Sequence, residues 1–257
     1  MPQTQSKLFT LWAVLTSLSL FIIVGCTKIE IKKPVIEDNN NSVDCKSVQD
    51  ANGIFTSIPN LDFEVWSFSD SKKYEEPDPN CFWTTPNKTK DIIPAFFVGV
   101  TKVGGDSAYS GKYAAMLKTG KWGTILAAAT IASGTFAPNL SNPLSSIKFG
   151  KPFKKKPKKV TGYYMYFPVG GDSCGMYCFV TKTKTVGTKK VLDTLGFTRI
   201  VSTETVSAYR QFQMELVYDS DETPDNVVIY FASSEGGKDL KGQVGSTLFV
   251  DEVKVEY

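Results

Sequence analysis

The chain has 257 residues, with 29 Lys and Arg against 26 Asp and Glu, a formal net charge of +3, and no histidine. So small a basic excess argues against a nucleic-acid partner, because phosphate binding needs a concentrated basic face. The missing histidine excludes Ser-His-Asp and Cys-His catalytic arrangements and any histidine-ligated zinc site, leaving carboxylate glycosidase chemistry formally open.

In chain order, the first element is a secretory segment. Lys7 supplies a positive start, and Leu8 to Val24 is apolar apart from Thr10, Thr16, Ser17 and Ser19. The run approaches the length of a membrane span, about 20 residues, so an uncleaved anchor helix also fits its length. The sequence Ile23-Val24-Gly25-Cys26 favours the lipobox of a bacterial lipoprotein, whose small residues let a peptidase reach the backbone. On this reading residues 1–25 are a removed signal peptide. Cys26 then carries acyl chains, palmitate among them, that hold the protein to the outer membrane of the cell envelope. Residues 26–53, with their Lys, Glu, Pro and Asn39-Asn40-Asn41 run, read as a flexible tether.

Four further cysteines, Cys45, Cys81, Cys174 and Cys178, lie in what would be an oxidising compartment. They permit two disulfides with three connectivities. Cys174 and Cys178 share one face of a strand, too far apart at about 3.3 Å per residue to bond directly. A turn at Gly175 would bring them together, and free buried thiols are an equal alternative.

From residue 54 to 257 the pattern is that of an all-β sandwich: short β-branched and aromatic runs separated by Gly, Pro, Asn, Asp and Ser. Strands are predicted over 61–67, 96–102, 114–119, 126–136, 148–149 and 160–168, and then over 176–183, 197–201, 210–215, 226–233 and 247–256. The segment 127–133 also has helical character through its alanines, but Gly123 and Gly134 leave little room for a helix. The basic run from Lys154 to Lys159, broken by Pro157, reads as a solvated loop. The acidic group Asp219, Asp221, Glu222 and Asp225 could form an acid/base pair, but among Ser220, Thr223 and Pro224 it reads as a turn with nothing to bury a carboxyl. Asp172, after Gly170-Gly171, also reads as turn chemistry.

Six segments, in this order, resemble the PCMD family of bacterial lipoproteins. They are Ile58-Pro59-Asn60-Leu61-Asp62-Phe63-Glu64-Val65-Trp66, Phe82-Trp83-Thr84-Thr85-Pro86-Asn87 and Ser110-Gly111-Lys112-Tyr113-Ala114-Ala115-Met116-Leu117. Val160-Thr161-Gly162-Tyr163-Tyr164-Met165-Tyr166, the run from Pro224 to Ser234 and the run from Gly245 to Val253 complete the set. The resemblance implies an antiparallel jelly-roll sandwich similar to carbohydrate-binding modules. It also implies one structural Ca²⁺ between Glu64 and Asp251, with backbone carbonyls of the turn at Lys112 completing the hard oxygen ligands. The alternative is a surface carboxylate on each strand.

Sugar rings offer apolar C–H faces to aromatic side chains. The candidate platforms are Trp83 and Trp122, both in polar loop settings, followed by Tyr164 and Trp66. Each could instead cap the core, as large aromatics in β domains usually do. Tyr164 and Tyr166 share one strand face and Tyr163 takes the other, so one set must face inward. The expected function is non-catalytic capture of a glycan by an envelope lipoprotein, with no catalytic residue assigned. The alternatives are an adhesin or structural subunit docking a protein partner, and, with less support, a glycosidase.

Overall fold

Alternation of apolar and polar residues along consecutive strands forces each strand to present one face inward, and here two sheets meet over those faces. The computed structural model describes residues 44–78, 81–139 and 141–257, all of which fall within one unit, Asn40–Tyr257. The expected signal, the expected lipidation site Cys26 and most of the expected tether lie outside the described residues. Among the described residues no helix is long and apolar enough to cross a membrane.

The first half of the chain contributes short strands: β1 (Trp66–Ser69), β2 (Tyr74–Pro77), β3 (Trp83–Thr84), β4 (Val100–Gly104) and β5 (Tyr113–Lys118). These are followed by β6 (Gly120–Trp122), β7 (Ile125–Ala127), β8 (Thr130–Phe136), β9 (Ile147–Phe149) and β10 (Lys151–Pro152). Longer strands make up the second half: β11 (Lys159–Phe167), β12 (Cys174–Val186), β13 (Lys189–Ser202) and β14 (Val206–Glu215). The chain closes with β15 (Val217–Tyr218), β16 (Asn226–Ala232) and β17 (Thr247–Glu256).

The larger sheet runs β15-β13-β12-β16-β8-β3, with β10 joined to β16 and β9 to β8. The smaller runs β14-β11-β17-β5-β4, and every pairing is antiparallel. The result is the antiparallel jelly-roll sandwich expected from the sequence. Met176, Cys178, Val180, Ile229 and Phe231 of the larger sheet face Val160, Tyr164, Tyr166, Phe212 and Val250 of the smaller one, all within one core.

Most predicted strands are present, but β12 and β13 extend well beyond 176–183 and 197–201 as one long hairpin. The single strand expected over 126–136 is two, β7 and β8, because residues 120–127 fold back as a separate hairpin with Gly123 at φ 57°. Residues 61–65 are turn and coil rather than strand, and pairing begins only at Trp66.

Residues 44–53, the expected end of the tether, are instead fastened to the sandwich. Cys45 forms a disulfide with Cys81, Val48 packs against the core, and Phe55 N–H donates to the Pro152 carbonyl at 3.0 Å. Cys174 and Cys178 are free and buried, four residues apart on a strand that does not turn at Gly175. The disulfide closes a 36-residue separation, a loop for which chain entropy gives about 4 kcal/mol. Replacing Cys45 and Cys81 together with Ser should therefore lower unfolding stability by about that amount in a denaturant titration. Replacing Cys174 with Ser should show no such loop-closure effect.

Candidate functional site

The strand period that sends Met176, Cys178 and Val180 inward sends Tyr177 and Phe179 to the opposite face of β12. On the neighbouring strands Phe197 and Tyr230 join them. Tyr177 and Tyr230 stack with ring centroids 4.4 Å apart and planes 5° apart, and Phe149 of β9 lies 5.5 Å from Tyr230. These rings floor a concave cleft of about 640 Å³.

Three segments raise its walls. The β6–β7 hairpin contributes Trp122, 41% exposed, and Ile125. The stretch after the 3₁₀ turn Pro86–Asp91 contributes Ile93 and Phe96, and Phe136 ends β8 on the same cavity. Asn87 fixes that second wall. Its amide donates to the Val100 carbonyl at 2.6 Å and the Glu75 carbonyl at 2.9 Å, and its oxygen accepts from the Gly99 and Val100 N–H groups. Buried and fully bonded, Asn87 ties the 86–99 segment to β2 and β4.

Polar groups are few. Tyr177 Oη donates to Glu235 Oε1 at 2.9 Å, and Asn139 and Thr130 line the cleft nearby. Burial pushes the Tyr230 phenol up; burial first, and then the bond to Glu235, pushes up that of Tyr177. Both hydroxyls therefore stay protonated at neutral pH. The arrangement suits a ligand with apolar faces and hydroxyl edges.

Of the four aromatic residues expected as platforms, the structure places only Trp122 on this cleft. Trp83 is 1% exposed, packs against Phe63 and Phe82, and donates its indole N–H to the Pro59 carbonyl at 3.0 Å. Freeing it would expose about 200 Å² of ring at a cost of about 5 kcal/mol, so it is a core residue. Tyr164 faces inward at 5% exposure, beside Phe212. Trp66 leans on the edge of the core with its N–H given to the Phe63 carbonyl, and it does not line the cleft. The floor residues Tyr177, Phe179, Phe197 and Tyr230 were not anticipated. The available signal was that outward positions of central strands carry aromatics where a solvated face would carry polar residues.

The residues expected to hold calcium lie elsewhere and form a different structure. Glu64 Oε1 accepts from the N–H groups of Lys112, at 2.8 Å, and Tyr113, at 3.1 Å. Asp251 Oδ2 accepts from Tyr109 and Ser110 N–H, and its Oδ1 from that of Glu252. The turn therefore aims donors, not carbonyls, at both carboxylates, and at Lys112 it is the N–H that is used. This set does not fit a calcium cage. No group of three or more His, Cys, Asp or Glu among the described residues is placed to hold a metal ion. The carboxylates instead clasp the turn between β4 and β5 to the first and last segments of the domain. Asp251→Ala should cost about 2 kcal/mol by removing the buried carboxylate that accepts three backbone hydrogen bonds from partly buried donors, whereas excess EDTA should leave the melting temperature unchanged. A chelator-dependent melt would overturn this account.

The acidic run 219–225 is a solvated turn, as expected, with Glu222 paired to Lys182 and Lys184 at 3.0 Å each. Asp172 is also a turn residue but a buried one, its Oδ2 accepting from Gln243 N–H at 2.9 Å and from the Ser234 hydroxyl. Two further acids are buried. Glu76 is 3% exposed and accepts from the Thr85 hydroxyl; Asp78 is fully buried and accepts from Phe82 and Trp83 N–H. Burial pushes each carboxyl up to about 8. A carboxyl whose pKa is raised by folding stabilises the fold below its unfolded value, about 4, and that contribution is lost as pH rises through about 8. Unfolding free energy should thus fall between pH 5 and pH 9, and Glu76→Gln should flatten that slope.

A search of curated proteins finds no match. Among solved structures, a chain from Bacteroides thetaiotaomicron described as a "putative glycoside hydrolase" aligns with TM-score 0.65 and 22% identity, covering 79% of this chain and 72% of that one. A Bacteroides vulgatus chain of the same description aligns with TM-score 0.60 and 20% identity, covering 76% and 97%. Both likenesses establish a shared fold. The model of one family, described as "Putative carbohydrate metabolism domain", matches residues 62–256, and with that span the chain belongs to the PCMD family.

Proposed function

We propose that this protein is a non-catalytic glycan-binding lipoprotein of the cell envelope, anchored to the outer membrane through acyl chains on Cys26. The observation that carries the reading is the aromatic-floored cleft of about 640 Å³, walled by Trp122 and edged by the Tyr177 and Glu235 groups. Flat rings at its floor match the C–H faces of sugars, and hydroxyl and carboxylate groups at its edge match their hydroxyls. Membership of a family described by carbohydrate metabolism points the same way. Glycoside hydrolysis uses two carboxyl groups across the scissile bond, and Glu235 is the one acidic residue among the described residues lining the cleft. That favours capture over cleavage.

A docking role for a protein partner draws support from a different surface. Val186 and Leu192, each 66% exposed, sit at the far end of the β12–β13 hairpin. A glycan array decides between the two readings. The detergent-solubilised full chain should bind at least one polysaccharide family, with affinity lowered about tenfold by Trp122→Ala, the scale expected for losing one stacked, partly exposed ring. The melting temperature of that variant should not change. A blank array with folded protein would leave the docking reading in place.

A further inference from the structure

The β12–β13 hairpin outruns the sandwich. β12 pairs with β16 only as far as Thr181, and β13 meets β15 only at Gly196 and Phe197. From Lys182 to Asp193 the two strands pair with each other and with no third strand, so about 16 Å of ribbon projects past the larger sheet. The two-residue turn Gly187-Thr188 closes it, with Gly187 at φ 63°. At this tip Val186 and Leu192 are each 66% exposed and Val191 is 46% exposed. The register puts Val186 and Val191 on one face with Lys189, and Leu192 on the other with Lys190. Lys189 and Lys190 are exposed, and among the described residues neither joins an ion pair. Nearer the sheet, Lys182 and Lys184 pair with Glu222 and Asp193, and no acid lies between Lys184 and Leu192.

We infer that this tip docks on an anionic lipid surface, with Val186, Val191 and Leu192 entering the headgroup layer and Lys189 and Lys190 meeting its phosphates. The inference rests on the membrane-anchored reading only in bringing the protein to a membrane. Lysines commonly blunt exposed strands against edge-to-edge pairing, which accounts for Lys182 and Lys184 but not for the apolar tip. Apolar residues on both faces of a narrow ribbon form a wedge, which a fluid interface can surround and a flat protein face cannot. Three aliphatic side chains also fall well short of the roughly 800 Å² per partner of a stable protein interface. The tip carries no Trp, Tyr or Arg, the residues that anchor such interfaces. An anionic surface matches the two lysines in charge. The direction of the chain agrees. Asp225 N–H donates to the Thr181 carbonyl at 2.8 Å, Phe153 N–H to that of Asp225 at 2.9 Å, and Phe55 N–H to that of Pro152 at 3.0 Å. The first described residues therefore lie at the end of the sandwich from which the hairpin leaves, the end that an anchor at Cys26 would draw to the membrane. Acyl chains and a basic, apolar tip would be two separate membrane signals on one chain.

The test reconstitutes the full chain in phosphatidylcholine vesicles with and without phosphatidylglycerol, carrying an environment-sensitive dye at Thr188→Cys. The same dye at Thr203→Cys, exposed at the other end of β13, is the control. The emission at position 188 should shift to the blue on the anionic vesicles, and that at 203 should not. Each lysine strengthens docking about fivefold, so the docked-to-free ratio should be about twentyfold higher with phosphatidylglycerol. Raised salt should shrink that margin. Lys189→Gln with Lys190→Gln should abolish it, and Val186→Ser with Leu192→Ser should lower docking about tenfold on either lipid. Being exposed, these changes should leave the melting temperature unchanged. Flotation of the chain with the vesicles but no shift at 188 would overturn the inference, keep the anchored reading and return the tip to a protein partner. An equal shift on neutral vesicles, or one indifferent to the lysine variants, would also overturn it. Intact mass reads acylation separately: a chain bare at Cys26 that still shows the anionic shift would end the anchored reading and keep the hairpin.

Discussion

Packing of Phe63, Phe82, Trp83 and Phe231 between the sheets is the interaction on which the rest of this protein depends. The rings meet at centroid distances of 5.1–6.4 Å in tilted and edge-on arrangements, at the point where β3 closes the edge of the larger sheet. Burial of that cluster fixes the inward set of β16 at Val227, Ile229 and Phe231. Because a strand alternates, Tyr230 must then face outward, and the register with β12 sets Tyr177 directly opposite it. The cleft floor is in this sense the reverse side of the core.

The same logic links the edges of the molecule to its site. Thr85, adjacent to the core pair Phe82 and Trp83, accepts from Asn87 N–H at 3.1 Å and so starts the 3₁₀ turn. That turn carries Lys88 on one side and the cleft wall on the other. Asn87 then spends all its hydrogen-bonding capacity on the backbone of β2 and the start of β4. A wall held by a buried, satisfied side chain is pre-organised, which lowers the ordering cost of binding. The clasp of Glu64 and Asp251 on the turn between β4 and β5 does comparable work at the opposite sheet.

The fold was legible in the sequence because it follows from local signals. Val253-Lys254-Val255-Glu256 alternates cleanly, and Gly170-Gly171-Asp172 marks a turn that the structure contains. Strand ends were less legible: β12 and β13 continue past their apolar stretches because each serves as the other's partner, a non-local reason. The site was read least well. Trp83 sits among polar neighbours in sequence, yet its ring is drawn into the core by residues as distant as Pro59 and Phe231. Trp122 sits in a similar setting, and its two-residue hairpin turn projects it outward. Nothing within a few residues of either tryptophan distinguishes them. The acids followed the same rule, since the conspicuous run at 219–225 is solvated whereas Glu76 and Asp78, unremarked in sequence, are buried by the edge of the larger sheet.

The central claim is that the concave face of the larger sheet is the binding face. Hydrogen-exchange mapping of the protein with and without a bound oligosaccharide tests it most directly. The account predicts protection concentrated in β12, β16, the 120–127 hairpin and the 86–97 wall. Protection confined to the other sheet, around the stacked pair Tyr109 and Tyr163, would contradict it.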